Sequence, residues 1–285
     1  MKILCIIVTY NRLKLLQNCI QAVKSQTRVP DSILVVNNGS SDGTKEWLDL
    51  QSNLLVIHQE NLGGAGGFYS GIEFGLQSEF DWFWCMDDDG LPDKTALEEL
   101  LKHTHKNVSA LNSVVLSNVN DKILSFGMPV LNSKGYPKLQ KPIKTFSKMY
   151  ELSTDKQTYP YGAFFNGSLL KKEAVELCGN VNKDLFIWGD EVEMVRRMWN
   201  IAPVLTILSS RHYHPEPNPN PPLWKLYYGL RNSIYINLKF FDYKFLRISK
   251  SIVFFFFQFL KHKRGLRTFF RAIKDGLTQN LQTRF

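Results

Sequence analysis

The sequence predicts an α/β fold: a mostly parallel sheet flanked by helices, with a basic helical extension at the C-terminus. Three observations carry that expectation. Through the first hundred residues, short apolar runs alternate with segments of helical spacing. The apolar runs are continuous, as in strands covered on both faces. Each run ends in a polar or glycine-rich segment, as in a sheet whose strand ends converge on one crevice.

The elements follow in order. "ILCIIVTY" (3–10) predicts the first buried strand. Residues 12–26 place Leu15, Leu16, Cys19, Ile20 and Val23 at helical spacing. "SILVVNN" (32–38) and "LLVIHQ" (54–59) are strands, separated by a loop and a helix start at 40–50. A glycine-rich helix over 66–78 precedes the strand "FDWFWCM" (80–86). Residues 91–106 predict a helix with Pro92 in its first turn. Short β-like stretches and a Lys-rich loop (134–148) follow, then a strand leading into a helix (161–179), an acidic helix start (184–199) and a strand (203–210). The ends of the early strands (Thr9-Tyr10-Asn11-Arg12, Asn37-Asn38-Gly39-Ser40, Asn61-Leu62-Gly63-Gly64 and Asp87-Asp88-Asp89) should meet in one crevice.

With 285 residues, 44% hydrophobic and 21% charged, the chain can bury a sizeable core, which excludes a mainly disordered protein. The net charge of +9 is unevenly placed. Residues 223–285 hold 13 Lys/Arg against 2 Asp/Glu, and residues 1–222 hold 22 against 24. A boundary near 222, after a Pro-rich linker, thus separates a near-neutral domain (1–222) from a basic, aromatic helical region (223–285). The four scattered cysteines show no zinc or redox spacing and suit a reducing cytosol. The longest apolar run, 252–260, falls short of the about 20 residues a membrane span needs.

Chemistry is signalled by "MDDDG" and "WGDEVE". One aspartate fits a solvated helix start. Three in succession after an aromatic strand fit a shared hard cation, Mg²⁺ or Mn²⁺, held by Asp87 and Asp89 beside phosphates. Aspartates holding a metal make poor bases, so a second acidic group is required; Asp190, Glu191 and Glu193 provide one. His212 and His214 follow a strand, and one of them, with preference for His214, is a candidate further ligand. The run "NLGGAGGF" matches neither a Walker A loop nor G-x-G-x-x-G; it suits close helix–strand packing or close approach to a sugar nucleotide.

"IIVTYNR", "VVNNGSSDGT", "NLGGAGGF", "MDDDGLP", "WGDEVEMVRR" and "YYGLRN" occur in this order. Together they resemble family 2 inverting glycosyltransferases of the GT-A fold, over about residues 1–240, and in particular their galactofuranosyl- and rhamnosyltransferase-like branch. The resemblance implies a UDP- or dTDP-linked sugar donor contacted by Thr9, Asn11 and Arg12. Asn37 stands where many members carry an Asp facing the base. Asn61, Gly63 and Gly64 would line the donor cleft. Asp87 and Asp89 match the metal-binding D-x-D, Asp88 would approach the ribose or sugar, and the histidine after the last strand matches a metal ligand. Glu191 matches the catalytic base, Asp190 and Glu193 would hold the acceptor, and Trp188 would pack against a sugar ring. These roles describe an enzyme of cell-surface polysaccharide synthesis, such as O-antigen assembly, with a lipid-linked glycan acceptor.

The C-terminal region interleaves aromatic and basic residues without a recognisable nucleic-acid module, so nucleic acid is not an expected partner. It fits an anionic membrane surface, which would place the protein on the inner face of the cell membrane, or a contact with another subunit in a homo-oligomer. A nucleotidyltransferase would need a basic, glycine-rich loop near the N-terminus, which "VTYNR" is not. A non-catalytic sugar-nucleotide or glycan binder would not need Asp87, Asp89 and Glu191 together.

Overall fold

The computed structural model describes residues 1–105, 107–153 and 155–285. In chain order its elements are β1 (Ile3–Thr9), α1 (Leu13–Lys24), β2 (Ser32–Asn37), α2 (Thr44–Asp49), β3 (Leu55–His58), α3 (Gly63–Leu76), β4 (Trp82–Asp87), β5 (Leu91–Pro92), α4 (Ala96–Leu101), β6 (Ala110–Ser117), β7 (Ile123–Met128), β8 (Ile143–Thr145), α5 (Phe146–Leu152), β9 (Thr158–Tyr159), β10 (Asn166–Lys171), α6 (Lys172–Cys178), α7 (Asp190–Trp199), β11 (Val204–His214), α8 (Leu223–Phe240), α9 (Lys244–Phe259) and α10 (Gly265–Leu277).

The sheet runs β3-β2-β1-β4-β10-β6-β11-β5. Its first four strands are parallel, from the repeated strand–helix crossovers. β10 then enters antiparallel to both β4 and β6, while β6 and β11 pair parallel, so the sheet is mixed beyond β4. β1 shows why its run is apolar throughout. Leu4, Ile6 and Val8 face a core with α3, and Ile3, Cys5 and Ile7 face another with α1. α1 turns Leu16, Cys19, Ile20 and Val23 into that second core and leaves Leu15 exposed.

The glycines of α3 divide their labour. A Cβ on Gly67, Gly71 or Gly75 would lie 2.4–2.5 Å from Val8, Ile6 or Phe83, so these positions let the helix lie close on the sheet. Two sequence expectations shift. The helix expected over 91–106 shrinks to α4, because Leu91 and Pro92 pair with Tyr213 and His212 of β11; the expected last residue, Lys106, lies outside the described residues. The strand expected to stop at Ser210 continues through His214, across an irregular register between Ile207 and Arg211. The Lys-rich loop ends in β8 and the start of α5.

After the Pro-rich segment, α8, α9 and α10 pack into a third core around Tyr227, Leu230, Ile234, Phe259 and Phe269. Among the described residues, no helix is long and apolar enough to cross a membrane.

Candidate active site

The carboxyl ends of β1, β4 and β11, the start of α7 and the first turns of α8 surround one cleft of about 1360 Å³. That exceeds the roughly 300–1,000 Å³ of a typical small-ligand pocket and leaves room for two reactants.

β4 delivers the three aspartates, and each meets a different environment. Asp88 is buried, accepting from Thr9 Oγ1 at 2.7 Å and from the Arg12 guanidinium at 3.1 Å. The same guanidinium nitrogen donates to Asp89 Oδ2 at 2.7 Å. His214 Nε2 lies 3.0 Å from Asp89 Oδ1. Among the described residues no hydrogen-bond donor reaches the Asp87 carboxylate, and burial with the adjacent charge of Asp89 pushes it up to about 7. Burial also raises Asp88, to about 6, against the pull of Arg12 and Thr9. Asp89 goes the other way: burial is overcome by the hydrogen bond and charge of His214, with Arg12, and it falls to about 2.

Ligand atoms of Asp87, Asp89 and His214 all lie within 4.8 Å of one another. These residues fit a divalent cation on two observations. Asp87 carries a carboxylate that no protein cation directly pairs, and His214 is oriented as a ligand. Its Nδ1 stands 2.6 Å from the Pro215 carbonyl, which can only accept, so Nδ1 holds the proton and Nε2 turns its lone pair to the cluster when the ring is neutral. Without a cation, burial lowers the imidazole pKa but Asp89 outweighs it, and the net shift is upward.

His212 is separated from this group. It is fully buried, packed against Gly90 and Gly167, and neither ring nitrogen has a partner among the described residues. Burial lowers it to about 3, so it is neutral. Of the two candidate histidines, the geometry joins the preferred one, His214, to the aspartates and leaves His212 apart from them.

The second acidic group arrives on α7. Gly189 precedes the helix at φ +104°, and its N–H donates to Glu191 Oε2 at 2.8 Å. Asp190 and Glu191 both line the cleft. Burial raises the Asp190 pKa well above the carboxylate range, and the charges of Glu191 and Asp87 add to it. Glu193 is elsewhere. It is 2% exposed and pairs with Arg197 at 2.8 Å, and Arg197 in turn donates to the carbonyls of Cys178, Gly179 and Asn180. The acceptor role expected of Glu193 is therefore corrected to an internal brace: two residues along a helix turn to a different side.

The donor-side expectations also divide. Thr9, Arg12, Asn61, Gly63, Gly64 and Asp88 line the cleft, as does Trp188. Asn37 and Asn11 do not. Asn37 accepts from Ser40 N–H and sits 3.0 Å from His58 Nδ1, and Asn11 accepts from Ser41 N–H at 2.6 Å. Both shape the 38–42 loop, and the neighbouring Asn38 faces the cleft in place of Asn37. Asp88 is committed to Thr9 and Arg12, so its visible task is to hold that guanidinium in place.

Three cleft residues had no assigned role in the sequence reading: Lys225, Trp224 and Tyr228, from the first turns of α8. Lys225 lies 5.4 Å from the Trp224 ring and 6.0 Å from that of Trp188, and burial lowers its pKa. The signal was the aromatic, basic stretch that runs into "YYGLRN". That motif does further work. Asn232 Nδ2 reaches the carbonyls of Leu185, Ile187 and Trp188, and Arg231 reaches those of Asp184, Leu185, Leu281 and Thr283. Phe186 and Trp188, at φ +67° and +58°, are held in the left-handed region by this clamp, just ahead of Asp190 and Glu191.

The chain is similar to several known proteins. The glycosyl transferase family 2 model covers residues 4–164. A galactofuranosyltransferase (GlfT1) of Mycolicibacterium smegmatis is 34% identical over 216 residues, spanning 74% of this chain and 70% of that protein. The GlfT1 of Mycobacterium tuberculosis H37Rv is 31% identical over 222 residues, 75% and 70% of the two chains. Among solved structures, GalNAc-T7 with UDP, GalNAc and Mn²⁺ aligns with a TM-score of 0.61 at 15% identity over 82% of this chain, which spans 48% of that one. Residues 1–349 of S. aureus TarS with UDP-GlcNAc align at 0.54 and 13% identity, over 98% and 81%. At these identities the solved structures establish the GT-A fold alone. The family rests on the sequence match and its span: the chain belongs to glycosyl transferase family 2, and its sequence groups with that family's galactofuranosyltransferases.

Proposed function

We propose that this protein transfers galactofuranose from a UDP-linked donor to a glycan acceptor carried on a lipid, with inversion at the anomeric carbon and dependence on Mn²⁺ or Mg²⁺. One observation carries the reading: Asp87, Asp89 and His214 face the Asp190–Glu191 pair within a single cleft. The galactofuranosyltransferase relatives support the sugar. Neighbours of the same fold crystallised with UDP, a UDP-sugar or Mn²⁺ support the donor class and the metal. Rhamnose on a dTDP carrier is the donor to try next.

A divalent cation held by Asp87, Asp89 and His214 would neutralise charge on the departing diphosphate. The remaining work falls to the chain. Thr9, Asn38 and Asn61 border the nucleotide end of the cleft, and Asp88 holds Arg12 against it. Lys225 adds a second cation to the cleft lining, within reach of the charges of Arg12, Asp87 and Asp89. Glu191 accepts the proton of an acceptor hydroxyl as that oxygen attacks the anomeric carbon opposite the diphosphate, which leaves with the electron pair of the broken bond. Asp190, its carboxyl pKa pushed upward by burial and by the charge of Glu191, lines the cleft beside the base. Trp188 and Trp224 offer flat faces for sugar rings. Residues 1–222 supply the donor and metal groups, and 223–285 close the cleft and bring the protein to the inner face of the cell membrane, where polysaccharide precursors such as those of O-antigen reside.

The test is turnover of UDP-galactofuranose with Mn²⁺, wild type beside Glu191→Gln, with the product anomer read by NMR. Loss of a positioned base should lower turnover about 10²–10⁴-fold, with UDP binding retained. Retained anomeric configuration, or a Glu191→Gln variant as fast as wild type, would overturn the mechanism.

A further inference from the structure

α9 carries apolar side chains on two opposite faces. Ile248, Ile252, Phe255, Phe256 and Phe259 face the α8–α10 core. On the opposite side Leu246, Val253, Phe257 and Leu260 recur at seven-, four- and three-residue steps, which places them on one exposed stripe. Phe254 and Phe257 are each 63% exposed. α10 repeats the pattern with Leu266, Phe270 and Leu277, and Phe270 is 64% exposed. The two stripes are joined by a chain of rings. Phe257 lies 5.6 Å from Phe256, Phe256 5.4 Å from Phe269, and Phe269 5.4 Å from Phe270. Exposed apolar side chains on two helices are thus bridged by buried ones into one patch, of a kind that isolated surface residues do not form.

The charge around the patch identifies what covers it. Between Asp242 and Asp275 there are nine Lys/Arg and no Asp or Glu. Lys250 and Lys261 are exposed beside the α9 stripe, and Arg267, Arg271 and Lys274 lie exposed along α10. A second copy of the chain would bring cations against cations. An anionic bilayer answers both features, with phenylalanines entering the acyl boundary and lysines and arginines on the headgroups.

We infer that the α9–α10 face is a membrane-docking surface, with Phe254, Phe257 and Phe270 as its inserting side chains. This gives a physical location to the membrane contact in the proposed function, but it rests on the patch and its charge, not on the sugar or the chemistry.

The test uses the full chain, sedimented with vesicles of phosphatidylcholine alone or with about one-third phosphatidylglycerol, a composition that engages basic residues near the surface. Two variants are compared: Phe254→Ser/Phe257→Ser/Phe270→Ser and Lys250→Gln/Lys261→Gln/Arg267→Gln. All six positions are exposed, so the melting temperature should stay near wild type, and this is measured alongside. Truncation is avoided, because residues 281–283 brace Arg231. Wild type should bind the anionic vesicles and each variant should bind at least about tenfold more weakly. No binding by wild type, or equal binding by the Phe variant, overturns the inference. So does a concentration-dependent dimer that the Phe variant abolishes in the absence of vesicle binding. The readout needs neither donor nor acceptor: a protein that docks but does not transfer galactofuranose would refute the proposed function and leave the docking surface standing.

Discussion

Asn232 offers a direct handle on how the loop leading to Glu191 is held. It is fully buried on α8, and its amide nitrogen lies 2.9, 3.0 and 2.7 Å from the carbonyls of Leu185, Ile187 and Trp188. Two N–H bonds are shared among three acceptors, with no solvent to replace them. Asn232→Ala removes those bonds, each worth about 1 kcal/mol net, and strands at least one buried carbonyl; about 3 kcal/mol of stability should go. For a chain of this size that is a fall of roughly 8 °C in melting temperature. The functional effect should be selective. The loop's left-handed Phe186 and Trp188 set the entry of α7, and a misplacement of Glu191 by about 1 Å would lower turnover about 10²-fold. UDP affinity should stay close to wild type, because Thr9, Asn38 and Arg12 belong to other elements. Asn232→Asp, equal in size, should be worse than alanine, since it turns a carboxylate oxygen toward three carbonyls. The assays are thermal unfolding, UDP titration and turnover at saturating donor. If Asn232→Ala stays within about 1 kcal/mol of wild type and turns over normally, the clamp does not position the loop.

Two further predictions follow from the site. Glu193→Gln should lower stability by about 3 kcal/mol by breaking a buried ion pair, seen by chemical denaturation, while the KM for acceptor stays unchanged; a selective rise in that KM would restore Glu193 to the acceptor site. The cation-free protein should be more stable at pH 5 than at pH 8. Asp87 at about 7 and Asp88 at about 6 bind protons more tightly folded than unfolded, so their contribution is lost as pH rises from about 4 to 7. His214 and Asp190, also raised, act in the same direction; Asp89 at about 2 opposes them only below about 4, and His212 at about 3 opposes them only below about 6.5, so the raised acids dominate. Mn²⁺ competes with the proton on Asp87, so it should raise the melting temperature more at pH 8 than at pH 5. An equal gain at both would place the cation away from Asp87.

The parallel half of the sheet and the two acidic groups were legible in the sequence because each is written locally. Continuous apolar runs and helical spacing alternate through the first hundred residues, and three aspartates at a strand end have few physical explanations. β10 was not legible as antiparallel, since its direction is set by pairing Asn166 with Met86, eighty residues away. The Asn37–Asn38 choice failed because adjacent residues leave a strand toward opposite faces, and the sequence does not say which face is open. Glu193 did carry a signal: Arg197 four residues on is the spacing of an ion pair along a helix.

The change in composition at residue 222 is a boundary in charge, but it is not a boundary of the cleft. Trp224, Lys225 and Tyr228 line the cleft, and Arg231 and Asn232 fix the loop that carries Glu191. At Gly229 a Cβ would meet Trp188 Cε3 at 2.8 Å on the cleft side and Phe255 Cε1 at 3.0 Å on the α9 side. One residue without a side chain is all that separates the Trp188 ring in the cleft from the inner face of the helix that presents Phe254 and Phe257 outward. Close-packed contacts of this kind transmit displacement, since neither ring has space to absorb it. On the proposed function, a lipid-linked acceptor would meet the docking face and the loop leading to Glu191 within one packed unit, joined through α8.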